Sequence, residues 1–499
     1  MTGERLTYRF GPLERRGLLG PVRAGQAGML AVGALLAIFE LDQSPSTGGA
    51  LLATLTFGGF VALAVAPVGP RTVEQWTPVL VAFVGRLIGG RASFRSPAPT
   101  AGMLARGLKA GRRLKARGPR PAAPAALRDV RIASVSYRER QVGVLSERKG
   151  RLLTAVLACR VVAFSLLDAE AQERRLARWG LVLSGAASTP IRRIQWIERT
   201  APAQGDELAR WVHDERDPTI PLRGTPMIDS YLELIGATAR VTQEHEILLA
   251  IQVDARRVRD RGENAVGQAL LEQTERVAQG LRAAEVTVLG ALSPGLLARA
   301  VRTAFDPYAR AELAELETAD PQRDGLEEHN AWPLGAREAW DHFRADGAVH
   351  ATYWIGGWPR VDVSPMFMDA LLGHSAAVRT VAVTFESIPP ERSTREVEAA
   401  ITRDRADREL RHRFGQSETA RQRQAQEATM RREAELAAGH SEVRLSGFVT
   451  VTGRDLDDLR RASSEVLSHA ARARLELHRM YGQQADAFAF TLPLCRGLK

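Results

Sequence analysis

Two uncharged apolar runs open the chain, AGQAGMLAVGALLAIF at 24–39 and GGALLATLTFGGFVALAVAPVG at 48–69. At 1.5 Å per residue the second is long enough to cross a hydrocarbon core of roughly 30 Å. The first is short for a full span, but the Arg23 stem can snorkel and the bilayer can thin locally. Between them ELDQSPST holds Glu40 and Asp42 and no Lys or Arg. The pattern predicts a transmembrane hairpin tethering a large soluble body. The small residues Ala24, Gly28, Gly33, Gly58 and Gly59 are expected to let its two helices approach closely. The next stretch, 72–90, is apolar but interrupted by Pro78 and Arg86. Trp76, Val79, Phe83 and Leu87 recur in it at helical spacing, which predicts a helix lying in the membrane interface. The alternative is a buried amphipathic helix of the soluble domain.

Residues 92–126 read as a linker, with Pro97, Pro99, Pro119, Pro121 and Pro124 and no acid between Glu74 and Asp129. From Arg128 the pattern turns to alternating strands and amphipathic helices. RIASVSY, VGVLSE, LLTAVLACRVVAF, IRRIQWIE and EILLAIQVDA predict strands. AEAQERRLARWGLVL, residues 225–240 and residues 263–283 predict helices, and Ser293-Pro294 supplies an N-cap and an N1 proline for another. Strands follow at 351–359 and 378–388. Ser393 and Glu396 are read as a capping box for a long charged stretch at about 391–438. Gly415 divides that stretch, which predicts a projecting helical hairpin. EVRLSGFVTV, the helix DLDDLRRASSEVLSHAARA, RLELHR and a last strand AFAFTLPL complete the pattern. Two stretches, from Glu244 and from Glu442, share a strand–helix–strand plan, the unit of a ferredoxin-like split βαβ fold. The expected class is α+β, with domains at 1–90 (hairpin and interfacial helix), 91–126 (basic linker), 127–345 and 346–499.

Charge sharpens this picture. The net charge is +10, and residues 1–128 carry 17 Lys and Arg against five Asp and Glu; the remaining 371 carry 51 against 53. The basic excess therefore surrounds the hairpin. Basic residues flank both apolar runs and the loop between them is acidic, so the positive-inside rule places both termini in the cytoplasm and the spans in the inner membrane. A cluster of Arg106, Lys109, Arg112, Arg113, Lys115, Arg117 and Arg120 is expected to face anionic lipid, at roughly 1 kcal/mol per basic residue near the surface. A disordered tether, or nucleic-acid binding through the same residues, are its alternatives. Aromatics make up only 6% of the chain and the excess does not sit on a folded face, so nucleic acid is an unfavoured partner.

Chemical signatures are sparse. The four lysines, Lys109, Lys115, Lys149 and Lys499, none after a glycine, exclude GxxxxGK[ST]. Ten histidines form no HExxH or HxxxH; His213-Asp214-Glu215 and Glu327-Glu328-His329 are the nearest approaches, both in polar sequence. No GxSxG elbow occurs. Two cysteines, Cys159 and Cys495, stand far apart, and Cys159 in its apolar strand reads as inert core. No catalytic, cofactor-binding or metal-binding residue is assigned. The aromatic cluster Tyr353, Trp354 and Trp358, with Trp332 and Trp340 upstream, is read in two ways. One is a docking surface anchored by Trp354, Trp358 and Arg360; the other is rings filling the core.

FGPLERRG (10–17), YWIGGWPRV (353–361), REVEAA (395–400), GFVTVTGRDLDDL (447–459) and LELHRMYGQQADAFAFTLPL (475–494) resemble an actinobacterial family of two-span membrane proteins of unassigned mechanism. The soluble part resembles the N-terminal, non-ATPase region of conjugative-transfer ATPases of the VirB/TraC/TrbE class, and the hairpin is similar to a PrgI-like membrane subunit. The resemblance implies an inner-membrane scaffold of a type IV secretion or conjugation-like machine. Such a scaffold would dock a separate P-loop ATPase and sibling subunits and would be oligomeric within the complex. A type VII secretion subunit of the EccE-like kind is the first alternative. A membrane-tethered enzyme gathering His213 or His329 with carboxylates is the second.

Overall fold

The computed structural model describes residues 24–68, 71–96, 123–160, 164–202, 226–227, 230, 243–260, 262, 264–310, 313, 326–359, 361–373, 375–413, 420–437 and 441–498. They fall into two compact units, one drawn from residues 12–92 with Tyr481–Gln483, the other from residues 93–480 and 484–499.

The smaller unit holds three helices, α1 (Ala24–Gln43), α2 (Thr47–Val65) and α3 (Val73–Ile88). α1 continues past the expected end at Phe39 and carries Glu40 and Asp42 into its last turn. α2 stops four residues before the expected end at Gly69, because Ala66 precedes a proline and is held in an extended conformation (φ −59°, ψ 121°). Ser46 caps α2, its Oγ accepting from the Gly49 N–H at 3.1 Å. Lateral hydrogen bonds join the pair: Gln26 Nε2 donates to the Ala64 carbonyl and Thr56 Oγ1 to Glu40 Oε1, both at 3.0 Å. Close approach rests on Gly33, where a Cβ would lie 2.6 Å from Phe60 Cβ. Gly28, Gly58 and Gly59 instead face open space, with nothing within 4 Å of an added Cβ.

The larger unit is built on a 13-stranded sheet. Its strands are β1 (Ser93–Arg95), β2 (Arg131–Tyr137), β3 (Arg140–Glu147), β4 (Leu152–Arg160), β5 (Ile191–Pro202), β6 (Gln243–Asp254), β7 (Thr287–Ala291), β8 (Gly335–Glu338), β9 (Phe343–Ala345), β10 (Ala348–Gly357), β11 (Val378–Ser387), β12 (Val443–Gly453) and β13 (Glu476–Arg479). Its helices are α4 (Ala169–Gly185), α5 (Ala265–Ala283), α6 (Pro294–Phe305), α7 (Pro390–Arg413), α8 (Ala420–Ala437), α9 (Leu456–Arg472) and α10 (Gln484–Ala489), with one further turn at Asp369–Leu372. The sheet runs β1-β8-β9-β10-β12-β11-β5-β6-β4-β3-β2, with β7 beside β4 and β13 beside β10. The pairings are antiparallel.

This order contains the split βαβ plan twice. β4–α4–β5–β6–α5–β7 lies in the order β7-β4-β6-β5, and β10–(Asp369–Leu372)–β11–β12–α9–β13 lies in the order β13-β10-β12-β11. The second strands of the two modules join edge to edge, β5 to β11, in register from Arg379↔Thr200 to Phe385↔Ile194. In each module the first strand shares one edge between the preceding hairpin strand and the last strand: β4 with β3 and β7, β10 with β9 and β13. The strand–helix–strand stretches expected from Glu244 and Glu442 are β6–α5–β7 and β12–α9–β13. The boundary expected at 345/346 falls inside the β9–β10 hairpin. The second module carries the charged helices α7 and α8 between β11 and β12. In the first module the corresponding chain, with most of the helix expected at 225–240, lies outside the described residues.

Alternation divides the central strands between two cores. Ile194, Leu249, Ile251 and Val253 pack with Leu270, Val277 and Leu281 of α5. Ile197, Leu248 and Ala250 point the other way, onto Leu297, Val301 and Phe305 of α6 and onto Phe488, Leu492 and Leu494. In the second module Val381, Val449 and Val451 meet Leu459 and Val466 of α9. The helix starts are locally encoded. Ser293 Oγ accepts from the Leu296 N–H ahead of Pro294, and Asp455 accepts from the Asp457 and Asp458 N–H groups.

Two expected elements are corrected. AFAFTLPL forms no strand: α10 ends at Ala489 and the chain then turns across a face of the sheet. There the backbone finds side-chain partners in place of a ladder. Gln195 Nε2 donates to the Phe490 carbonyl at 2.7 Å, Gln252 Nε2 to that of Leu494 at 3.0 Å, and the Cys495 N–H to Gln195 Oε1 at 2.8 Å. Ser393 and Glu396 form no capping box, because Pro390, suited to a first helical position, starts α7 earlier. Ser393 lies buried in the first turns, and Glu396 pairs with Arg392 and Arg444.

Candidate membrane anchor and docking surfaces

Helices α1 and α2 contain apolar windows, Gly25–Gln43 and Thr47–Val65, long and apolar enough to cross a membrane. Only 6% and 17% of those windows is buried, which separates them from core helices. Leu35, Ile38, Leu51, Leu55 and Val65 are each more than 60% exposed. Such a surface is costly in water and favourable in lipid, at about 25 cal/mol per Å² of apolar area.

In α3 the expected stripe of Trp76, Val79, Phe83 and Leu87 is divided. Val79 is buried and Trp76 and Phe83 are half-buried, while Leu87 turns outward with Leu80, Val81, Val84 and Ile88. The Arg71 guanidinium lies over the Trp76 ring at 5.2 Å, and Arg86 donates to the carbonyl of Gly482 within the same unit. The basic cluster Arg106, Lys109, Arg112, Arg113, Lys115, Arg117 and Arg120 lies outside the described residues.

The aromatic residues divide between core and surface. Trp332 and Tyr353 are buried, and Tyr353 stacks under Arg479, whose guanidinium carbon is 5.8 Å from the ring centre. Trp354 and Trp358 are half-buried. Trp354 lies 6.0 Å from the His478 ring, and Trp358 closes over Gly447, where a Cβ would come within 3.0 Å of its indole. Arg360 lies outside the described residues, so only the two tryptophans of the expected docking trio are placed.

His213 and the side chain of His329 lie outside the described residues, and Glu328 accepts the Ile132 N–H at 3.1 Å. Among the described residues no three His, Cys, Asp or Glu side chains converge as a metal site would require. Both cysteines are buried and unpaired; burial pushes the Cys159 thiol up to about 11 and raises Cys495 as well.

Sequence reasoning missed a set of buried polar residues along the joined strands. Arg199 Nη1 donates to Glu246 Oε2, to the Ala300 carbonyl and to Thr303 Oγ1, each at 3.0 Å. Arg379 Nη2 donates to the Gly373 carbonyl at 2.6 Å on the opposite face, with Glu198 and Glu465 nearby. Desolvation lowers both guanidinium pKa values, and the carboxylates oppose that shift. Glu465 also accepts from Ser375 Oγ at 2.7 Å and the Ala376 N–H at 3.1 Å. Arg193 bonds Glu386 and the carbonyls of Cys495 and Leu498. These groups tie loops, α6, α9 and the C-terminal segment to the strands. The available signal was polar residues at strand positions whose neighbours are apolar.

Against this geometry one comparison is positive. The model of the family described as "Putative type VII ESX secretion system translocon, EccE" matches residues 233–355. The match spans β6, α5, β7, α6, β8, β9 and most of β10, about a quarter of the chain. No curated protein matches. The likeness is to a type VII component, where the sequence resemblance pointed first to type IV and conjugative-transfer machines.

Proposed function

We propose that the protein is a membrane subunit of a type VII secretion translocon. The observation that carries this reading is the EccE match over residues 233–355, on a chain that also bears two adjacent apolar helices of spanning length. The type VII reading takes the place of the type IV one, for which no comparison speaks. In this proposal α1 and α2 cross the inner membrane, both chain ends lie in the cytoplasm, and residues 106–120 meet anionic lipid. The α+β body is a non-enzymatic scaffold. Through a surface that includes Trp354, Trp358 and Arg360 it engages sibling membrane subunits and a separate P-loop motor.

Native membranes carrying a tagged copy, solubilised in mild detergent, test the assignment by mass spectrometry of the co-purifying proteins. Type VII membrane subunits and a motor with several P-loops are the expected companions. Recovery with a conjugative-transfer ATPase, or as a lone chain under conditions that keep a type VII complex intact, overturns the assignment.

A further inference from the structure

α3 is apolar on both sides. A surface helix of a water-soluble unit buries one apolar face and turns a polar one outward; a helix apolar all round belongs in a core or in lipid. α3 is not in a core. Leu80 is 52% exposed, Val81 66%, Val84 40%, Leu87 56% and Ile88 82%. The helix's two charged side chains are both withdrawn from that face: Glu74 is buried and Arg86 is half-buried and hydrogen-bonded. The outward surface thus carries Thr77, Pro78, Leu80, Val81, Ala82, Val84, Gly85, Leu87 and Ile88, with no charge among them. Within the same unit α1 and α2 expose Leu35, Ile38, Leu51 and Leu55. The two ends of α3 carry cations, Arg71 over Trp76 at one and the exposed Arg91 just beyond the other.

We propose that α3 is seated in the bilayer interface with its Leu80–Ile88 face in the acyl chains. Trp76, Arg71 and Arg91 sit at headgroup depth against anionic lipid. At 16 residues the helix spans about 24 Å, too short to cross upright but suited to lying in the interface. The lipid-facing side is therefore the one opposite to Val79 and Phe83. The proposal rests on the membrane reading of α1 and α2, and the test separates the two.

Nitroxide labels are placed on cysteines substituted one at a time at Val81, Val84 and Ile88, at Val79 and Phe83, and at Leu35 and Leu55. The full chain is reconstituted in vesicles of phosphatidylethanolamine and phosphatidylglycerol, and the two buried native cysteines leave little background. Oxygen collision rates several-fold above those of a water-soluble nickel chelate are expected at 81, 84 and 88. Low rates for both reagents are expected at 79 and 83. Water-like rates at 81 and 88, or shielding from both reagents there, overturn the proposal while 35 and 55 still report lipid. Water-like rates at 35 and 55 as well overturn the membrane reading of the hairpin, and the proposal with it.

Discussion

His350 shows what the fold asks of one residue. It lies fully buried on β10, with Nδ1 2.9 Å from Thr452 Oγ1 and Nε2 2.9 Å from the Phe305 carbonyl. A carbonyl only accepts, so Nε2 carries the proton and Nδ1 accepts from the threonine hydroxyl; the neutral ring satisfies both. Burial lowers its pKa from 6.5 to about 4. The unfolded chain therefore binds a proton between those values that the folded chain does not. The His350 contribution is fully present above pH 6.5 and is lost as pH falls toward 4, by at most about 3 kcal/mol at 1.36 kcal/mol per unit. Urea midpoints of the protein in detergent should fall over that window, and His350→Asn should flatten the slope there. An unchanged slope would count against the assignment. From the sequence His350 was one polar letter in ATYWIGG's flank, because the partners that make it acceptable lie 45 and 102 residues away.

At the scale of elements, what could be read early was what neighbouring residues decide. The apolar runs and the Ser293-Pro294 start of α6 both follow from local chemistry, while the break expected at Gly415 lies outside the described residues. What failed depended on distant surfaces. Five small residues were expected to line the α1–α2 contact, yet composition alone does not say which side of a helix meets its partner. The structure places Gly33 against Phe60 and leaves Gly58 in the open. The two make a paired prediction. Gly33→Leu should destabilise the hairpin by about 1–3 kcal/mol through overpacking, read as a lower unfolding midpoint in detergent. Gly58→Leu should leave that midpoint unchanged or raised, since leucine is the better helix former. Equal losses in both variants would mean that the close approach lies elsewhere. The AFAFTLPL segment failed for a related reason: alternation predicts a strand only where an edge is free, and this segment meets a face lined with Gln195 and Gln252.

Across the whole molecule, the duplicated split βαβ module was legible as a repeated plan but not as one sheet. Joining the modules depends on β5 and β11, which are 175 or more residues apart, and on a seam of seven paired positions from Arg379↔Thr200 to Phe385↔Ile194. The core on the α6 side draws from both halves, with Ile197 and Leu248 beside Ala382, Phe343 and Phe488. Neither module can open at the seam without exposing that core, so the two should unfold as one unit. Leu459 of α9 is 2% exposed and belongs to the core between α9 and the second module's strands. Leu459→Ala should cost about 2–5 kcal/mol. If the halves are coupled, native-state hydrogen exchange should lose the same protection at Leu249 and Ile251 on β6 as at Val449 and Val451 on β12. Were the modules independent, β12 would lose protection and β6 would keep it. The distinction matters for a membrane-held scaffold, because a body that yields only as a whole transmits a load placed on one module to the other without an intervening hinge.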